Sequence, residues 1–148
     1  MNRASGALLG GLLAAAAWAP APADARTARG CAISLTAAAD GSFAQAGYNS
    51  GPARLAKLAA ATRERFTAAA LRLCALKVLT PGDLARFGRL VVQNGEGATE
   101  PLLYQDPAMG PRVFIFQFAF QDGGPPEPAE FEQALRCWKR PKRCDFGD

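Results

Sequence analysis

Histidine is missing from all 148 residues. That one absence removes the Ser-His-Asp and Cys-His arrangements, histidine general acid–base chemistry, histidine metal sites and Cys-x-x-Cys-His haem attachment. No two of the four cysteines form a Cys-x-x-Cys pair, so disulfide exchange of the thioredoxin kind lacks its motif. Neither Gly-x-Gly-x-x-Gly nor the Walker pattern occurs, so the glycines build no phosphate loop and imply no nucleotide cofactor. No cofactor and no metal is expected.

Long hydrophobic runs are scarce too. The apolar run from Ala7 to Trp18 follows one cation, Arg3, and ends at Pro20 and Pro22. It is far shorter than the roughly 20 apolar residues that cross a bilayer. It has the length of a signal-peptide core, and Ala23-Asp24-Ala25 supplies the small-x-small pattern that signal peptidase accepts. Ala17-Trp18-Ala19 and Ala21-Pro22-Ala23 offer earlier sites, but a cut after Ala19 would leave Pro20 next to it. The expectation is a signal peptide over residues 1–25, cleaved after Ala25, and one exported domain over 26–148. An uncleaved anchor fits the short core less well. A lipoprotein lacks its lipobox, because Ala28-Arg29-Gly30 precedes Cys31.

About 120 residues remain after such a cut, enough for one continuous core. Four cysteines, Cys31, Cys74, Cys137 and Cys144, stay in that part. An even number in an exported chain reads as disulfides, and four allow three pairings. Cys137 and Cys144 flank a short basic stretch, so a clasp between them closes easily and leaves Cys31 for Cys74. The mature charge stays at +4, since the leader takes one arginine and one aspartate with it. A mild basic excess suits an anionic envelope component or an acidic protein, with nucleic acid the less expected ligand. Abundant arginine, alanine, glycine and proline are also what a GC-rich genome gives.

Along the chain, Ile33 and Leu35 alternate with Ser34 and Thr36 as in a strand, and Asp40-Gly41 predicts a tight hairpin returning through Ser42 to Gly47. Asn49-Ser50-Gly51-Pro52 starts a long helix whose buried stripe is Leu55, Leu58, Thr62, Phe66, Ala69, Leu73 and Leu76, with Cys74 beside it. Thr80-Pro81-Gly82-Asp83 starts a brief second helix, and Leu90 to Val92 and Leu102 to Tyr104 read as strands. The clearest strand runs from Arg112 to Gln121, with four phenylalanines on one face and apolar residues on the other, as befits the middle of a sheet. A last helix begins near Glu127-Pro128, buries Phe131, Leu135 and Trp138, and ends at Pro141. The fold expected is α+β: a small, largely antiparallel sheet, one long and two shorter helices covering one face, and two disulfides as staples.

Two constellations carry chemistry. Arg136, Trp138, Lys139, Arg140, Lys142 and Arg143 form a basic cluster around one indole, folded into a loop if Cys137 meets Cys144. Fixed cations of this kind favour phosphate or carboxylate ligands. The plainer account is cations stabilising a helix C-terminus, with Trp138 in the core. The second is Glu96 with Glu100 in a glycine-containing loop, the pair that suits carboxylate-only glycoside hydrolysis, although no third, tuning residue accompanies it. The function expected is therefore an exported, non-catalytic domain that binds an anionic or protein partner in the cell envelope. The alternative is a small hydrolase of envelope glycans.

Overall fold

The computed structural model describes residues 30–45, 51–95, 100–119 and 125–144. The expected leader therefore lies outside the described residues, as do Phe120, Gln121 and Glu96. The elements are β1 (Thr36–Ala39), α1 (Ser42–Gln45), α2 (Pro52–Ala75), α3 (Pro81–Ala85), β2 (Arg89–Asn94), β3 (Leu102–Gln105), β4 (Val113–Phe118), α4 (Pro128–Lys139) and a 3₁₀ turn over Pro141–Arg143. Among the described residues, no helix is long and apolar enough to cross a membrane.

The α+β class and its single helical layer are as the sequence predicts. The four strands lie in the order β1-β2-β4-β3, which puts the apolar β4 inside the sheet. Strand direction departs from expectation. β1 with β2 and β2 with β4 are parallel, and only β3 with β4 is antiparallel, so the sheet is mixed. The physical cause is the connections. A chain that passes through α2 and α3 between β1 and β2 has the length to re-enter the sheet in the same direction.

The predicted hairpin is also replaced. The backbone N–H of Ser42 donates to Oδ1 of Asp40 at 2.9 Å, and the Ser42 hydroxyl bonds the same oxygen. This local capture turns the chain into the one-turn α1 rather than a returning strand. Phe43 is thereby buried beside Phe118, with ring centroids 6.0 Å apart. β1 takes its ladder from β2 instead.

α2 begins at Gly51 with Pro52 in its first turn, where a missing N–H does no harm. Leu58, Thr62, Phe66, Ala69 and Leu73 are buried, whereas Leu76, the C-cap, is 53% exposed and not part of the stripe. Thr62 satisfies its buried hydroxyl by donating to the Leu58 carbonyl at 2.7 Å. The helices face Leu90, Val92, Phe114, Phe116 and Phe118, so the phenylalanine face is core. Phe66 meets Phe87 and Phe116 edge-on, and Phe116 stacks on Phe131 at 4.7 Å. Truncating a side chain as central as Phe66 costs about 3–5 kcal/mol. Val91, Val113 and Ile115 form a small separate cluster on the other face.

The disulfides are Cys31–Cys74 and Cys137–Cys144, leaving no free cysteine. The first ties the residues before β1 to the last turn of α2. The second holds the 3₁₀ turn against α4.

Candidate functional site

α2 and α4 lie side by side. Arg65 donates to the carbonyls of Pro125 and Pro126 at 3.2 and 2.7 Å, and seven residues on in both segments Arg72 bonds Glu132 at 2.7 Å. Partners thus advance together along both chains, so the helices run in the same direction and finish at the same end of the domain. Each C-terminus carries about half a negative charge from its unsatisfied carbonyls. Two such ends together attract cations.

At that end is an open cleft of about 410 Å³ lined by Lys77, Val78, Gln133, Arg136, Lys139, Arg140, Arg143 and Cys144. Five of the eight are cationic and none is acidic. The volume falls within the range of small-molecule sites, about 300–1,000 Å³. The Cys137–Cys144 bridge forms part of the wall and fixes the turn that carries Arg143. The predicted residues Arg136, Lys139, Arg140 and Arg143 are thus brought together.

Trp138 is not among the lining residues. Its ring lies 4.9 Å from Phe87 and 5.6 Å from Phe114, with the Arg86 guanidinium 5.0 Å over it. It closes the edge of the core under a cation, as the plainer account held. The cause is helical geometry, since residue 138 falls on the stripe of Phe131 and Leu135 while 136, 139 and 140 fall off it. Lys142 is exposed on the 3₁₀ turn and does not line the cleft.

Lys139 lines the cleft with its charge already shared. Its Nζ donates to both carboxylate oxygens of Asp83, at 2.9 and 2.7 Å. Asp83 is also the third residue of α3 and completes a reciprocal cap. The Asp83 N–H donates to the Thr80 hydroxyl at 3.0 Å, and the Thr80 N–H donates to Asp83 Oδ2 at 2.8 Å. Burial pushes the Asp83 carboxyl up, but the bonds from Lys139 and the Thr80 backbone and the ammonium charge outweigh it, so its pKa lies below the ordinary value. Among the described residues no carboxylate pairs with Lys77, Arg136, Arg140 or Arg143. After Asp83 and the two helix ends are counted, roughly three positive charges remain uncompensated among the described residues.

Lys77 was missed in the sequence. It is the one non-glycine residue in the left-handed region among those described, with φ 63°. The Lys77 N–H donates to the Cys74 carbonyl at 3.0 Å and the Val78 N–H to the Leu73 carbonyl at 2.9 Å. This is the helix-ending motif that glycine usually occupies. The backbone there costs a residue with a side chain roughly 1–2 kcal/mol, while a cation at a surface helix C-terminus returns about 0.3–1 kcal/mol. The helix end does not by itself account for lysine. The sequence holds one signal: the predicted stripe stops at Leu76, Thr80 caps the next helix, and no glycine stands between them to make the turn. Gln133, the neutral member of the lining, left no signal.

Glu100 is exposed before β3. Its suggested partner Glu96 lies outside the described residues, so the carboxylate pair has no geometry to stand on. Among the described residues no group of three or more cysteines or carboxylates is placed to hold a metal ion. Compared with known proteins, the chain matches no family model, no curated protein and no solved structure.

Proposed function

We propose that this protein is an exported, non-catalytic domain that holds an anionic partner of the cell envelope in the cleft at the paired ends of α2 and α4. One observation carries the proposal: five cations line one concavity with no acid among the lining residues, and among the described residues only Lys139 is neutralised by a carboxylate. Export, to the periplasm or the medium, is supported by the leader-like residues 1–25 and by the two disulfides, which persist in oxidising compartments. The bridge between Cys137 and Cys144 suits binding, because it holds the cations in fixed relation before any ligand arrives.

The test is retention from envelope extract by the wild type beside an Arg136→Ala, Arg140→Ala, Arg143→Ala triple variant, over a series of salt concentrations. Lys139 is left in place because it also holds α3. Partners kept by the wild type at low salt should be released as salt rises, since exposed charges more than about 8 Å apart are largely screened at physiological ionic strength. The triple variant should lose them at every salt concentration. If both proteins keep the same partners, the cations only serve the helix ends and the proposed role is wrong.

A further inference from the structure

We infer that the ligand group taken by the cleft is a phosphate, free or as a monoester, and that Lys77 is the residue that determines this preference. The inference rests on the anion-binding role proposed above and adds to it the chemistry of the ligand and the part played by a strained residue.

Three guanidinium groups, from Arg136, Arg140 and Arg143, line the same concavity. Each is a planar fork of donors that cannot be deprotonated. A carboxylate presents two oxygens in one plane and engages one such fork. A phosphate monoester presents three strong acceptors in a tetrahedral spread and carries about −1.5 to −2 near neutral pH. That charge and that spread suit the roughly three uncompensated positive charges of the cleft, whereas a monoanion leaves most of them unmet. Gln133 adds a neutral amide to the lining.

Lys77 completes the cleft from the other helix. The remaining cations all belong to α4 and the turn after it, so without Lys77 the charge would come from one side only. An ammonium group on the turn that ends α2 adds positive charge from a second element, which a multivalent anion uses and a carboxylate does not. The residue is held in a backbone conformation that glycine would occupy more easily, and strain of this kind concentrates where a side chain is needed for function. The cation is kept in spite of the fold.

The experiment uses the purified, disulfide-bonded protein and reads two quantities, melting temperature and affinity for inorganic phosphate, with acetate as the carboxylate control. The wild type should bind phosphate at least tenfold more tightly than acetate. Lys77→Gly should raise the melting temperature by about 4 °C, because it relieves the left-handed strain in a domain of this size. It should also weaken phosphate binding at least fivefold while leaving acetate unchanged. Lys77→Asn tolerates the same backbone without the charge and should bind like the glycine variant. Lys77→Arg should keep the affinity of the wild type. Vesicles containing phosphatidic acid, whose headgroup is a phosphate monoester, that compete with phosphate would identify a lipid headgroup as the source, and vesicles that do not compete would identify a soluble phosphate.

The outcomes separate the two claims. Equal binding of acetate and phosphate, equal phosphate affinity in Lys77→Gly, or a lower melting temperature in that variant overturns the present inference. The first two still leave an anion site if the triple arginine variant has lost it. If neither the wild type nor any variant binds either anion or the vesicles, the anion-binding role itself fails.

Discussion

Lys139, the last residue of α4, donates to both carboxylate oxygens of Asp83, which completes the Thr80 cap of α3, at 2.9 and 2.7 Å. With side chains 30% and 11% exposed, the pair is partly shielded, and it ties the end that carries the basic cleft to the short helix before the sheet.

That bond predicts an acid limb of stability. The folded-state pKa of Asp83 is depressed, so its contribution is present above the unfolded value, about 3.9, and is lost as pH falls through the lower folded value. Unfolding followed from pH 6 to pH 2 should therefore show a loss of stability below about pH 4 that Asp83→Asn reduces. At pH 6 to 7, Asp83→Ala should cost about 1–3 kcal/mol, from the lost cap and from a half-buried ammonium left without its partner.

The two disulfides should separate stability from binding. Closing the loop between Cys31 and Cys74, 43 residues apart, contributes about 4 kcal/mol by restricting the unfolded chain, and the clasp across 7 residues about 2.5 kcal/mol. Replacing both cysteines of the first bridge with serine should lower the melting temperature more. Replacing both of the second should lower it less and weaken anion binding more, because Cys144 and Arg143 stand in the wall of the cleft. Peptide mass spectrometry without reduction checks the pairing, and thermal melts beside phosphate titrations read the two effects.

Gly88 marks a place where the backbone has no room. A Cβ there would sit 2.9 Å from the Cβ of Arg112, whose guanidinium donates to the carbonyls of Ala85 and Phe87 at 3.2 and 3.1 Å. Gly88→Ala should destabilise by about 1–3 kcal/mol as β2 and the start of β4 are pushed apart. Denaturant unfolding measures it, and an unchanged midpoint would mean that Arg112 yields freely.

Much of this fold could be read from periodicity and caps. The stripe predicted from Leu55 to Leu76, buried between Leu58 and Leu73, the Thr80–Asp83 cap and the interior position of β4 follow from periodicity and local spacing, whereas the pairing of Cys31 with Cys74 is one of three that spacing leaves open, favoured because Cys137 and Cys144 close easily. Strand direction could not, because it depends on where a long connection re-enters the sheet. The turn at Ser42 departs from its local signal: Asp40-Gly41 favours a hairpin, whereas the Asp40 carboxylate captures the next turn of chain. Of the site, the arginines were legible as a run of charge. Lys77 joins them only because two helices sixty residues apart run in the same direction and stop together. No local pattern reports that.

Whether the paired ends of α2 and α4 hold an anion is read by backbone amide shift mapping during titration with inorganic phosphate. Saturable shifts grouped at Lys77, Val78, Gln133, Arg136, Arg140 and Arg143, abolished in the triple arginine variant, are expected. Shifts grouped elsewhere, or none at phosphate concentrations that saturate ordinary small-molecule sites, would contradict an anion site at these ends.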